Sequence, residues 1–179
     1  MKKCTQDVVM RKFLIIFLLG LLLIAFNASA EPILMSADWA REACRAWNEE
    51  ESLTRGLKES GWINNDKDRG YKILHVYRTD CASSEPVELR IVERDDIAKC
   101  VYGGQIVHPE LDRKVDYLMH AKTERWIQMG EGKYGPMKAM MFRRLKFKGP
   151  KGEAMGNMGP FKSFLLLTGK VPSDTSACP

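Results

Sequence analysis

Gly132-Lys133-Tyr134-Gly135-Pro136-Met137-Lys138-Ala139-Met140-Met141-Phe142-Arg143-Arg144-Leu145-Lys146-Phe147-Lys148-Gly149 is the most informative stretch of this 179-residue chain. Gly132 and Gly135 make a flexible connector, and Pro136 suits the first turn of a helix. Met137, Met140 and Met141 fall on that helix. Leu145 and Phe147 then alternate with Lys146 and Lys148, a short strand that stops at Gly149-Pro150. Seven of the ten methionines lie between residues 119 and 158: Met119, Met129, Met137, Met140, Met141, Met155 and Met158. An unbranched, polarizable thioether repacks around varied apolar shapes. Trp126, Phe142, Phe147, Phe161 and Phe164 add large apolar area. An adaptable apolar cavity for a lipid-like ligand and a plain Met-rich core both account for such a run.

Charge is concentrated in the same place. Residues 121–179 carry 11 basic and 4 acidic side chains, whereas residues 31–120 carry 13 and 18. Lys133, Lys138, Arg143, Arg144, Lys146, Lys148 and Lys151 gather around the Met-bearing helix. They offer transient contact with anionic lipid headgroups, each residue contributing about 1 kcal/mol near a charged bilayer. A solvated face that keeps an apolar segment soluble is the plainer reading. No nucleic-acid-binding module is recognisable, so nucleic acid is not an expected partner.

Upstream, the pattern is a helix followed by strands. Residues 36–60 read as one helix, with Trp39, Ala43, Ala46, Trp47, Thr54 and Leu57 on one side. Ser36 or Asp38 caps its start, and Glu49-Glu50-Glu51 falls on its solvated side. Strand signals follow at Tyr71–Arg78, around Val87, Leu89 and Ile91, at Ile97–Tyr102, and around Val115, Tyr117 and Met119. Arg94-Asp95-Asp96 reads as a turn, and Gly103-Gly104 as a bend or bulge. Thr123 caps a helix carrying Trp126, Ile127 and Met129. The last element, with Ala154, Met155, Met158, Phe161, Phe164 and Leu165, is divided near Gly156, Gly159 and Pro160. A helix, several strands, then helices around one last strand predict an α+β fold, with helices on one face of a mainly antiparallel sheet.

The first thirty residues have a different character. Phe13 to Phe26 are fourteen apolar residues in a row, preceded by Arg11-Lys12 and followed by Ala28-Ser29-Ala30. A basic flank, a short apolar run and a small-x-small site define a secretory signal. Fourteen residues span about 21 Å as a helix, short of the roughly 30 Å hydrocarbon core. The expectation is a signal peptide at 1–30, cleaved near Ala30, and a single exported domain at 31–179. Cleavage would reduce the formal +5 of the whole chain to +2, the sum of an acidic first part and a basic second part. Cys44, Cys81, Cys100 and Cys178 remain, an even number that suggests two disulfides in a periplasmic or secreted protein. The preferred pairing joins Cys81 to Cys100, on neighbouring strand segments, and Cys44 to Cys178.

Catalytic chemistry is not evident. His75, His108 and His120 form no H-E-x-x-H or His/Cys cluster, and no G-x-S-x-G, P-loop or dinucleotide fingerprint occurs. No metal and no cofactor is expected. A hydrolase using His120 or His108 is the weakest option, since no nucleophile is arranged with either.

The stretch 132–149 resembles the C-terminal signature of the sterol carrier protein 2 domain family: a Trp-bearing helix, a Gly-x-x-x-Pro-Met-Lys-Ala helix, a short Leu-Lys-x-x-Gly strand and a final apolar helix. Trp126 fits the Trp position, and the specific match covers about residues 121–168. Two features depart from the pattern. Many family members are intracellular, and many carry an acidic or amide residue where Gly135 stands. The resemblance implies an α+β fold, a sheet of about five strands covered by helices around an apolar cavity. It implies non-catalytic binding or transfer of a sterol, fatty acyl or phospholipid ligand. Carried over by position, the cavity lining draws on Trp126, Met129, Met137, Met140, Met141, Leu145, Phe147, Met158, Phe161 and Leu165. The alternative is a structural or interaction protein that docks on a membrane surface or partner through its basic C-terminal half. Oligomeric state is left open.

Overall fold

The computed structural model describes residues 30–82 and 84–179. The expected signal peptide therefore lies almost wholly outside the described residues. The order of elements is α1 (Ala37–Glu49), α2 (Glu51–Glu59), a short 3-10 turn (Trp62–Asn64), β1 (Lys72–Arg78), β2 (Val87–Arg94), β3 (Ile97–Gln105), β4 (Tyr117–Ala121), α3 (Thr123–Gly130), α4 (Pro136–Met141), β5 (Lys146–Lys148), α5 (Lys151–Gly156) and α6 (Met158–Lys170). The strands form one five-stranded sheet in the order β3-β2-β1-β4-β5. Three of its four pairings are antiparallel, and the central β1–β4 pair is parallel. This is the α+β fold with a mainly antiparallel sheet that the sequence predicts.

Alternation sorts the side chains of each strand onto two faces. Leu74 and Val76 of β1, Leu89 and Ile91 of β2, and Tyr117, Met119 and Ala121 of β4 join the main core. Trp39, Trp47, Leu53, Leu57, Phe161, Phe164 and Leu165 meet them from the helical layer. Full burial of each such large apolar side chain contributes about 1.5–3 kcal/mol relative to exposure. Two indole N–H groups in the core donate to backbone carbonyls, Trp47 to Ala98 at 2.9 Å and Trp126 to Tyr77 at 3.1 Å, whereas that of Trp39 has no partner among the described residues. Asp95 and Asp96, with φ of 57° and 60°, close the β2–β3 hairpin in the left-handed conformation that two-residue turns require.

Several local expectations are altered by distant contacts. The segment 36–60 is two helices, because Glu50 is extended at φ −98°, ψ 107°. No Gly or Pro marks the break. Glu50 is instead turned toward α6, where its carboxylate takes Lys170 and lies 3.4 Å from the Ser163 hydroxyl. Ser36 does cap α1, accepting the Trp39 N–H at 3.2 Å. Thr123 does not cap α3 through its own side chain. Asp80, just past β1, accepts both the Thr123 N–H and its hydroxyl at 3.0 and 2.8 Å. Gly103 lies inside β3 rather than at a bend. The irregularity in the β2–β3 pairing falls at Arg90/Ile91. A Cβ on Gly103 would come within 2.0 Å of the Ala40 carbonyl, so the glycine lets α1 lie directly on β3.

The disulfides are Cys44–Cys100 and Cys81–Cys178, with Cα separations of 5.3 and 5.5 Å. This corrects the preferred pairing. Cys81 follows β1 and Cys100 lies on β3, and β2 runs between those strands. Cys100 faces α1, where Cys44 sits. Cys178 returns to the end of β1, where Arg78 also holds the tail by donating to the Ala177 and Thr175 carbonyls at 2.6 and 3.1 Å. Two disulfides fit an oxidising compartment. No helix among the described residues is long and apolar enough to cross a membrane.

Candidate functional site

A small apolar cavity of about 40 Å³ lies between the helical face of the sheet and helices α2, α5 and α6. Its wall comprises Trp47, Leu53, Leu57, Trp62, Leu74, Tyr117, Met119, Phe147, Ala154, Asn157, Pro160, Phe161 and Phe164. Aromatic rings dominate it. Trp62 stacks on Tyr117 with centroids 5.8 Å apart, and Phe147 touches both Tyr117 and Phe161 at 5.5 and 5.7 Å. The stretch 132–149 contributes one residue to this wall. β5 pairs with β4 so that Phe147 stands opposite Met119. Leu145, fully buried, anchors the turn that precedes it.

One end of the cavity is backed by a polar cluster. Lys72 lies on the inner face of β1 with its side chain wholly buried. Its ammonium donates to Glu153 Oε1 of α5 at 2.6 Å and to the Trp62 carbonyl at 3.1 Å. It also sits 4.3 Å from the Trp62 ring centroid and 5.4 Å from that of Tyr117, within cation–π range. The Tyr117 hydroxyl donates to Glu153 and accepts the Trp62 indole N–H at 2.8 Å. Asn65 supplies a further donor to Glu153 Oε2 at 2.6 Å. Burial pushes the Lys72 ammonium below its ordinary pKa, against the pull of Glu153. Burial, reinforced by Glu153, pushes the Tyr117 phenol far above its own, so it stays protonated and remains a donor. Asp116 sets the position of Tyr117: its buried carboxylate takes both Arg69 nitrogens at 2.7 and 3.0 Å and the Ile73 N–H at 3.0 Å.

The ten residues carried over by position are dispersed. Phe147 and Phe161 reach the cavity wall. Trp126, Met129, Leu145 and Leu165 are core residues that do not line it, and Met140 and Met158 pack half-buried at the edge of the core. Met137 and Met141 face solvent, because α4 has only six residues and uses Pro136 and Ala139 for its inner side. The wall draws instead on Trp47, Leu53 and Leu57 of the first two helices. The helical spacing of Trp47 and Leu57 was readable as an apolar side but not as cavity, and Leu53 was not singled out.

Met141 and Phe142 are 67% and 61% exposed, and Met137 and Met155 are also open to solvent. Lys138, Arg143, Lys146, Lys148 and Lys151 are exposed around them. Arg144 is half-buried and lies over the Tyr134 ring at 4.6 Å. Lys133 is paired with Glu131 at 2.6 Å.

The histidines lie on the opposite face of the sheet. Glu88 is fully buried and accepts the Val107 and His108 N–H groups at 3.0 and 2.8 Å; His108 Nδ1 lies 2.8 Å from it and His75 Nε2 3.4 Å. This arrangement fastens the segment after β3 across the sheet. His120 stacks on Tyr77 with centroids 4.7 Å apart. No group of three metal-ligating side chains occurs among the described residues.

A family model, the SCP-2 sterol transfer family, matches residues 62–162. The chain belongs to that family. The matched span runs from Trp62 to just past Phe161 and so contains the polar cluster and most of the cavity wall. Solved structures share the fold. A crystal structure of sterol carrier protein 2 aligns with a TM-score of 0.51 at 19% identity, over 78% of this chain and 99% of that one. A conserved hypothetical protein from Thermus thermophilus aligns with a TM-score of 0.50 at 20% identity, over 82% of this chain and 94% of that one. No curated protein matches the sequence.

Proposed function

We propose that this chain is an exported, non-catalytic lipid-binding or lipid-transfer protein whose single domain, residues 31–179, follows a cleaved signal peptide. The observation that carries the reading is the aromatic cavity between the sheet and α2, α5 and α6, in a chain of the SCP-2 sterol transfer family. The ligand is a sterol, fatty acyl or phospholipid molecule. Its apolar part is buried against Trp47, Leu57, Trp62, Met119, Phe147 and Phe161. At about 0.8 kcal/mol per buried methylene, ten methylenes contribute roughly 8 kcal/mol, the scale of a micromolar Kd.

A cavity of about 40 Å³ lies far below the roughly 300–1,000 Å³ of small-molecule sites, so a wall moves when the ligand enters. Helix α5 is the lightest wall. It has six residues and no side-chain cap, and Ala154 is its one buried residue. The exposed Met141, Phe142 and Met155 with the surrounding Lys and Arg side chains support transient contact with an anionic membrane, where ligand would be exchanged.

The test is solvent extraction of the folded, purified protein followed by lipid mass spectrometry, with fluorescent fatty acid titration of the delipidated chain. A stoichiometric lipid or saturable binding is the expected result. A lipid-free preparation that also fails to bind the fluorescent acid overturns the carrier function.

A further inference from the structure

We propose that the Lys72 ammonium is the recognition point for the carboxylate of a long-chain fatty acid, and that Glu153 occupies this point until the ligand displaces it. The inference rests on the lipid-binding reading above and narrows it to an anionic ligand class. Lys72 is an unusual residue for the inner face of a central strand: its side chain is wholly buried. A charge in that position requires a charged partner, because leaving it alone costs several kcal/mol. The partner is supplied by Glu153, 81 residues away on the lightest wall of the cavity.

The hinges of that wall are visible in the backbone. Gly149 precedes α5 at φ +153°, and a Cβ there would approach the Asp116 carbonyl to 2.7 Å. Asn157 follows α5 at φ −119°, ψ 37°, which separates it from α6. Widening the cavity by lifting α5 withdraws Glu153 from Lys72 and from the Tyr117 hydroxyl. The ammonium and the phenol are then left as donors behind the Trp62 and Tyr117 rings that line the cavity. A fatty acid carboxylate restores both bonds and the charge balance. A neutral alcohol or sterol hydroxyl can accept from these donors but restores no charge. The ligand thereby takes the place of an internal anion, which gives specificity through the cost of leaving Lys72 unpaired.

Asn157 is a second polar group at the cavity wall. It is 9% exposed, and its Oδ1 has no hydrogen-bond partner among the described residues. Its Nδ2 is engaged only by the Glu153 carbonyl at 2.9 Å. Release of α5 frees that amide to turn its N–H toward a bound carboxylate.

The experiment compares dodecanoate with dodecanol by displacement of the neutral probe 1-aminoanthracene at about pH 8, where the carboxylate is ionised. The wild-type chain is expected to prefer dodecanoate. Glu153→Gln is expected to raise the affinity for both compounds about tenfold or more, since either ligand must displace Glu153 and charge-assisted bonds are of that size, and to keep the preference for dodecanoate. Lys72→Met combined with Glu153→Gln is expected to abolish the preference while dodecanol still binds. A dodecanoate-to-dodecanol ratio in the double variant equal to that of Glu153→Gln overturns the proposal while leaving lipid binding intact. If the double variant does not fold, dodecanoate affinity in Glu153→Gln decides: a value unchanged from the wild type overturns the displacement of Glu153. Failure of the wild type to bind either compound overturns both this proposal and the lipid-binding reading.

Discussion

Enlarging a side chain of the cavity wall tests whether the cavity is where ligand goes. Leu57 of α2 is 4% exposed and lines the cavity beside Trp47 and Trp62. At roughly 24 cal/mol per Å³ of residual cavity, a space of about 40 Å³ costs the fold about 1 kcal/mol. Leu57→Phe places added ring atoms into that space and regains at most that amount. With an m-value of about 2 kcal/mol/M, the urea midpoint should rise by no more than ~0.5 M. The same ring atoms occupy volume that an acyl chain needs, so fluorescent fatty acid binding should weaken by about tenfold, the effect of losing one or two buried methylenes. Ligand binding and stability therefore move in opposite directions. Met141→Phe, at a position 67% exposed, is the control and should change neither. A Leu57→Phe midpoint that falls by more than ~0.5 M would show that the wall cannot accept added atoms. Unchanged binding in a stable variant would show that ligand enters elsewhere.

Three further outcomes are expected. Non-reducing peptide mapping should recover Cys44–Cys100 and Cys81–Cys178 peptides. The double variant Cys81→Ser/Cys178→Ser, which opens a loop with a sequence separation of 97, should lose about 2–5 kcal/mol in urea unfolding; a Cys81–Cys100 peptide would refute the topology. Stability should also fall in acid. Burial holds the His75 and His120 imidazoles below their ordinary 6.5, in His75 against the pull of Glu88 and in His120 with help from Lys148 and Lys146. The unfolded chain therefore takes up protons first as pH falls below 6.5, and stability present at neutral pH is lost from there downward. Glu88 adds to this loss below 4.5, because the bonds from His108 and Val107 outweigh burial and hold its carboxyl low. Urea midpoints at about pH 7.5 and 5.5 should show the drop, and His75→Gln should flatten it; a midpoint independent of pH would refute the assignment. Finally, Lys138→Glu/Arg143→Glu should weaken binding to phosphatidylserine vesicles at least tenfold, about 1 kcal/mol per basic residue removed. Fatty acid uptake in solution should be unchanged; equal loss of both would argue against a separate membrane-contact surface.

The local elements were legible because their causes are local. Alternation at Val87, Leu89 and Ile91 reads directly as β2, and the left-handed pair Asp95-Asp96 as its turn. Pro136 opens α4, and the Leu145/Phe147 alternation marks β5. The break at Glu50 was not legible: no Gly or Pro marks it, and the contacts of its carboxylate, Ser163 and Lys170, lie far along the chain. Nor was the capping of α3 by Asp80. The site followed the same division. The stretch 132–149 identifies the fold, yet most of its methionines pack at the rim or face solvent.

Taken alone, the sequence determined the α+β class, the family signature, the four cysteines of residues 31–179 and the separation of acidic and basic halves. These are properties of neighbours along the chain, set by side-chain period, turn chemistry and composition. Only the tertiary structure decided which cysteines meet, which aromatic rings enclose the cavity, and that Lys72 and Glu153 form its buried polar end. Strand order governs all three. Placing β2 between β1 and β3 separates Cys81 from Cys100. Placing β4 beside β1 brings Tyr117 within reach of Lys72 and gives β5 the edge from which Phe147 meets Met119. Lys72 is wholly buried on the inner face of β1, and burial is what makes its partner matter.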